Sequence, residues 1–531
     1  MQKNKNLINP VFIISSGAIL LLVIIGAIIP EQFKNVANSV FHMTTDFFGW
    51  FYLMAVFIIV VFLFGLAISK YGTIRLGAEE GRPEFSFLTW ISMLFSAGLG
   101  VGLVFWGVAE PMSHYFSPPF SDTKPLTTDS ARLAMGYSFF HWGISQWSVY
   151  AILGLVMAYV QFNKKRNMLI STALEPVTGK NRVVKGTIDI LAVIATVMGV
   201  ATSIGLGVLQ TNGGLSFVFG LPNTFLLQVV IILIMFIGYM LSATTGLQKG
   251  MKILSNVNMM LAIVLLLFVF ITGPTVFIME TFTLAIGDYI SNFIQYSLRM
   301  QPYVGGTWVK DWTIFYWAWA IAWSPFVGSF IARVSKGRTI REFIVGVLII
   351  PPLIACFWIA VFGGTALWFD LHQEAQIAQT VHNDVTVALF QMLEHLPLST
   401  IASFIGILLI IIFLITSADS ATFIILSMTT RGSLNPTVLS KLVWGILMLS
   451  ISGVLLYTGG LDALQTASLI AALPFTVILL LLMISYIKMM KDEIIPLKKK
   501  DIQRLKIAKK HLEKEAKAKE KNEVISCIIL S

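Results

Sequence analysis

Apolar runs of membrane-spanning length alternate with short polar segments along nearly the whole chain. A bilayer core of about 30 Å takes about 20 apolar residues in helical form. Runs of this kind fall at Val11–Ile29, Trp50–Ser69, Phe87–Ala109, Leu133–Val160, Ile188–Leu209, Phe225–Leu241, Ile253–Ile271, Ile314–Ala332, Phe343–Leu367, Ser403–Ile425, Leu442–Tyr457 and Thr466–Ile487. They predict an all-α integral membrane protein of about twelve transmembrane helices. The segment Thr281–Met300 differs. Phe282, Ala285, Ile286, Tyr289, Ile290, Phe293 and Ile294 recur at helical spacing, with Asp288, Asn292, Gln295 and Arg299 among them. This predicts an amphipathic helix lying on the outer face, as a cover for the bundle or a subunit contact.

Within the third run, Gly98, Gly100 and Gly102 occupy alternate positions. Each glycine weakens a helix by about 0.8–1.0 kcal/mol relative to alanine, so the run is either a seam of close helix packing or a local break. A break at membrane depth is tolerated where the freed backbone faces protein or a cavity, and there carbonyls can coordinate a cation or a polar solute.

Charge follows the loops. Lys70, Arg75 and Arg82, then Lys164, Lys165, Arg166, Lys180, Arg182 and Lys185, then Lys249 and Lys252, then Arg333, Lys336, Arg338 and Arg341 lie on alternate connections, while Asp122, Asp129, Asp370, Glu374, Asp384 and Glu394 lie on the others. This bias places both termini in the cytoplasm and accounts for the net charge of +10 without a nucleic-acid partner. The Lys-rich segment after Lys491 is a basic tail that suits an anionic lipid surface or simply fixes topology. Charged residues make up only 12% of the chain, against about 25% in soluble domains, which leaves no room for a separate soluble domain. Cys356 and Cys527 form neither a disulfide framework nor a metal motif.

Candidate chemistry sits inside the spans. Trp142, Tyr150 and Trp147 fall at about 0°, 80° and 140° around a helix, one aromatic face. Trp319 and Trp323 are four apart on another. Gly143, Ser145, Gln146, Ser324 and Pro325 lie among them, which suits a cavity wall better than an interfacial belt, and a cage of ring faces binds quaternary ammonium groups. Thr416-Ser417-Ala418-Asp419-Ser420 places hydroxyls and a carboxylate at membrane depth. Thr416 and Ser417 could supply oxygens to a monovalent cation alongside loosened carbonyls near Ser96 and Leu99, or bond their own helix. His114, His141, His372 and His382 show no metal-ligand spacing, and no enzyme constellation appears. Glu110, before Pro111 at the outer end of the third run, is either a gate carboxylate or, the favoured reading, a simple helix-end residue.

At these residues the chain resembles the betaine/carnitine/choline transporter family. The most specific stretch is Phe315-Tyr316-Trp317-Ala318-Trp319 through Trp323-Ser324-Pro325-Phe326-Val327-Gly328, then Ile331-Ala332-Arg333 and Gly337-Arg338-Thr339-Ile340-Arg341-Glu342-Phe343. The resemblance implies a homotrimer with two leading helices (1–86), a first inverted five-helix repeat (87–273), an amphipathic extracellular helix and linker (274–311), a second repeat (312–490) and a basic tail (491–531). It implies an aromatic box of Trp142, Trp147, Tyr150, Trp319 and Trp323 with a wall of Gly98, Gly100 and Gly102. It also implies a sodium site of the Ser96, Leu99 and Phe413 carbonyls with the Thr416 and Ser417 hydroxyls. By the same resemblance the amphipathic helix holds the trimer together and the tail senses osmotic state.

Gly102, where proton-coupled choline carriers of the family have aspartate, and Met259, where the sodium-independent carnitine exchanger has arginine, point to a Na⁺ symporter of a zwitterion such as glycine betaine in the plasma membrane. Ala320, at a box position that is usually tryptophan, leaves open another ammonium solute. Thr196 and Phe326 mark the place of a second sodium, which Val200 leaves short of a threonine hydroxyl. A channel or ligand-sensing receptor, and an ion-independent exchanger, are the alternatives that uptake measurements separate.

Overall fold

The computed structural model describes residues 9–77, 81–98, 100–120, 122–244, 250–303, 305–430, 432, 437–491, 493 and 507–516. In chain order the helices are α1 (Pro10–Ile28), α2 (Pro30–Ile68), α3 (Phe87–Gly98), α4 (Val101–Phe116), α5 (Thr128–Trp142), α6 (Ile144–Phe162), α7 (Ile170–Ala173), α8 (Glu175–Thr178) and α9 (Arg182–Phe219). They continue as α10 (Phe225–Thr244), α11 (Gly250–Thr272), α12 (Thr275–Ser297), α13 (Phe315–Val334), α14 (Ile340–Gln373), α15 (Ile377–Asn383), α16 (Ala388–Glu394), α17 (Ser399–Thr429) and α18 (Val438–Met490). No strand occurs among the described residues, apart from a single bridge between Arg75 and Thr339. Among the described residues, ten helical stretches are long and apolar enough to cross a membrane.

Three of the expected spans take another form. The third is divided between α3 and α4, which at 12 and 16 residues are each short of a crossing. The last two are merged in α18, whose 53 residues turn at Gly460, where φ is 58° and only glycine is at ease. At the other end of the chain α2 runs back to Pro30, well before the apolar run begins at Trp50, so its first half is a polar helix carrying Glu31, Lys34 and Asp46.

Burial separates the inner helices from the outer ones. The apolar windows of α1, α10 and α11 are 22% buried, whereas those of α5–α6 and of α13 are 94% buried, so the latter form the centre of the bundle. There α6 and α13 cross at Gly154 and Gly328: a β-carbon on either would lie 3.1 Å from the other's backbone. Small residues at such a crossing let two membrane helices approach closely. α13 also packs on α9 and α18.

The helix ends follow local chemistry. Thr127 and Ser130 close a capping box at the start of α5, and Thr339 and Glu342 do the same for α14. The stretch Gly337–Ile340 pairs with the segment after α2, through Gly337 N–H to Leu76 O at 2.8 Å and Ile340 N–H to Ile74 O at 2.9 Å. Arg338 donates to Phe85 O at 2.8 Å and lies over the Trp90 ring. The Gly-Arg-Thr motif is therefore a splint between α2, α3 and α13.

The amphipathic segment forms α12, which begins just after Gly273 and Pro274, six residues before the start that the periodicity indicated. Ala285, Tyr289 and Tyr296 face inward, while Val276, Ile290 and Ile294 are 72%, 69% and 64% exposed. A bidentate pair from Arg132 to Asp288, both bonds 2.7 Å, ties it to α5. Beyond α18, Glu493 accepts from Tyr159 and from Lys164, the latter at 2.9 Å. Burial pushes the Glu493 carboxyl up, but these hydrogen bonds prevail and hold it below the ordinary value. Of the basic tail, residues 507–516 are helical and exposed, and most of the remainder lies outside the described residues.

Candidate functional site

Two breaks create the site. α3 ends at Gly98, Gly100 is extended (φ −116°, ψ −163°), and α4 restarts at Val101. By the geometry of any helix end, the last four carbonyls of α3 lose their intrahelical partners. The glycine run is thus a break and also a wall: a β-carbon on Gly100 would lie 3.2 Å from Trp323 Cη2, and one on Gly102 would collide with the Trp319 ring. Leu99 lies outside the described residues, as do the surroundings of Ser96 and Gly98.

The second break is at Gly143, extended at φ −84° and ψ −152° between α5 and α6. It corrects the reading of Trp142, Trp147 and Tyr150 as one continuous helical face, because Trp142 is the last residue of α5 and the other two belong to α6. Tyr289 of α12 fills the break: the Ile144 N–H donates to its hydroxyl at 2.8 Å, in space that a side chain at 143 would occupy.

The five aromatic residues nevertheless meet. Ring centroids run from Trp142 to Trp319 at 6.2 Å, Trp319 to Trp323 at 6.3 Å, Trp323 to Tyr150 at 6.5 Å and Tyr150 to Trp147 at 5.7 Å. All five are buried. The Trp319 indole donates to Ser203 Oγ at 3.3 Å, and Gly199, on the same helix, packs against the backbone of Ala322 and Trp323. Gln146 Nε2 donates to the Tyr150 hydroxyl at 3.3 Å. Such an array of ring faces attracts a weakly hydrated cation by its quadrupoles.

Glu110 does not act as a helix-end residue. α4 continues to Phe116, and the Glu110 carboxylate is fully buried behind the box. One oxygen accepts from Trp142 Nε1 at 2.8 Å and Tyr316 Oη at 2.5 Å; the other meets His141 Nδ1 at 2.6 Å and His114 Nε2 at 3.2 Å. His141 Nε2 continues to Thr313 Oγ1 at 2.9 Å. The two histidines, scattered in sequence, are thus brought together by the fold. Glu110, His114 and His141 offer metal-ligand atoms within 4.8 Å of one another, yet those atoms already bond each other, so the group is a hydrogen-bond hub. Neither Glu110 nor Gln146 carried a sequence signal beyond its polarity inside an apolar run.

Around the expected ion position, Thr416 Oγ1 donates to Ile412 O at 2.9 Å and Phe413 O at 3.1 Å, and Ser417 is half-buried on the same turn. Thr196 Oγ1 donates to Ala192 O at 2.7 Å, and Phe326 packs on Trp323 at 5.5 Å. Each hydroxyl whose bonds are described is satisfied by its own helix. Asp419 has a partner from a neighbouring helix, accepting from Ser242 Oγ of α10 at 2.7 Å.

Residues 10–495 match the sequence profile of the betaine/carnitine/choline family of transporters. The chain belongs to this family. It is 60% identical over 489 residues to an ectoine/hydroxyectoine transporter of Virgibacillus pantothenticus, covering 92% of this chain and 98% of that protein. It is 48% identical to the glycine betaine transporter OpuD of Bacillus subtilis over 88% of this chain and 91% of that one, and 43% identical to a probable glycine betaine transporter of Desulfitobacterium hafniense over 91% and 98%. As a member of the betaine/carnitine/choline family the protein is a multi-pass membrane transporter, not an enzyme.

Proposed function

We propose that the protein imports a zwitterionic compatible solute of the betaine type across the plasma membrane by Na⁺ symport. The observation that carries this reading is the run of five buried aromatic rings in contact between two helix breaks at the centre of the bundle. A positive head group that sheds its water cheaply gains about 2 kcal/mol or more from desolvated ring faces, and a chloride or simple metal cation does not fit that chemistry. Because the rings are buried, solute enters and leaves only if the broken helices and α13 part alternately toward each side. In this reading α3–α4 and the two halves of α18 complete twelve crossings in two inverted repeats, with both termini cytoplasmic. Na⁺ lies between the freed carbonyls at the end of α3 and Thr416, Ser417 and the Phe413 carbonyl, and Thr196 with Phe326 marks a second, weaker position. The exposed apolar stripe of α12 supports a homotrimer.

Glycine betaine fits the box by its trimethylammonium group. A second reading, an ectoine-type solute, is favoured by the 60% identity to a transporter of that name and by Ala320 at a position where family members usually carry tryptophan. Concentrative uptake of labelled glycine betaine and ectoine into proteoliposomes, with an inward Na⁺ gradient and with K⁺ in its place, tests the function and ranks the substrates. Equilibration without accumulation in every condition would indicate a channel, and accumulation by counterflow alone an exchanger.

A further inference from the structure

Gln146 stands in the first turn of α6, between two tryptophans of the box, and is 4% exposed. Its Nε2 is engaged by the Tyr150 hydroxyl, while its Oε1 is buried with no partner. The Trp323 indole N–H, across the ring from Tyr150, is also buried and unpartnered. The Glu110 hub, by contrast, has every carboxylate oxygen doubly engaged. Two residues of the box region thus hold one unpartnered acceptor and one unpartnered donor, both buried. Buried polar groups in native proteins find partners, and leaving one unpaired is costly.

A trimethylammonium group can use the ring faces but has no N–H to offer the Gln146 carbonyl. A planar amidinium, or an incompletely methylated ammonium, can use both. We propose that Gln146 is a specificity-determining residue, its Oε1 accepting an N–H from the cationic group of the solute, with the Trp323 indole N–H free to meet the solute's carboxylate. The site thereby favours zwitterions whose cation carries an N–H, the amidinium of ectoine being the best fit to flat ring faces. This rests on the reading of the aromatic box as the solute site.

The test uses the full-length purified transporter and tryptophan-fluorescence titrations with ectoine, dimethylglycine and glycine betaine, so that N–H-bearing cations are compared with a fully methylated one. In Gln146→Leu, affinity for ectoine and dimethylglycine should fall about tenfold or more, with glycine betaine changed less than about twofold. Gln146→Glu, which keeps the acceptor, should retain the N–H preference, and Gln146→Met serves if the leucine variant does not fold. Equal losses for all three solutes would reduce Gln146 to a support for Tyr150, and no loss for any would remove it from the site; either result overturns the proposal. Wild-type protein that binds none of the three would instead overturn the reading of the box itself.

Discussion

The indole nitrogen of Trp142 donates to a carboxyl oxygen of Glu110 at 2.8 Å, so one ring of the aromatic box is held from behind by a fully buried acidic side chain. The same oxygen accepts from Tyr316, three residues before Trp319, which links both aromatic helices to one anchor. Glu110→Gln keeps one acceptor oxygen where the carboxyl has two, so an amide NH₂ faces either the Trp142 and Tyr316 donors or the two histidine nitrogens. Each donor left unpaired costs about 1–3 kcal/mol, so the variant should lose stability and bind solute at least tenfold more weakly. Thermal unfolding and fluorescence titration of detergent-solubilised protein measure the two effects. Unchanged affinity would show that packing alone places Trp142.

Gly102 and Gly100 should differ as sites of substitution. A methyl at 102 collides with the Trp319 ring, whereas one at 100 meets only the edge of Trp323 at 3.2 Å. Overpacking of this kind costs about 1–3 kcal/mol. Gly102→Ala should therefore impair solute binding more than Gly100→Ala, and Trp319→Phe in the Gly102→Ala background should recover part of the lost thermal stability. Additive losses in the double variant would contradict a direct contact.

Tyr289 connects the peripheral helix to the box, since its hydroxyl accepts the Ile144 N–H one residue from the Gly143 break. Tyr289→Phe leaves that amide, an orphan of the first turn of α6, without a partner. A loss of about 1–3 kcal/mol is expected. Hydrogen exchange should report faster opening at the start of α6, and solute affinity should fall because Trp142 and Trp147 flank the break. A variant with wild-type exchange there would limit Tyr289 to packing.

Most of the architecture was legible because a bilayer imposes a length and a composition on each crossing, and the aromatic residues stood out because tryptophans four apart beside Ser324 and Pro325 are unusual. Three glycines at alternate positions marked the first break for the same reason. The break at Gly143 was not legible: one glycine in an apolar run does not show whether a distant tyrosine will occupy the gap. Glu110 was misjudged because a glutamate before proline looks like a helix end, and its four hydrogen-bond partners come from α4, α5 and α13, which only the fold brings together. Asp419 likewise required the fold to reveal Ser242 as its partner.

The ion reading gives the last prediction. Thr416 Oγ1 donates to the Ile412 and Phe413 carbonyls, so its lone pairs point away from those bonds and remain available to a cation. If the hydroxyls of Thr416 and Ser417 serve only their helix, Thr416→Val and Ser417→Ala will leave the Na⁺ dependence of uptake unchanged, because intrahelical hydroxyl bonds contribute little to a helix. If they ligate Na⁺, half-saturation should require about tenfold or more Na⁺ in either variant. Coupling between two sites is reciprocal and commonly amounts to about 1–3 kcal/mol, a 5- to 150-fold effect, so the variants should also lose the rise in solute affinity that saturating Na⁺ produces. Measuring solute Kd with and without Na⁺ in each variant separates a lost ion ligand from a general loss of transport, since only the former removes the difference between the two conditions.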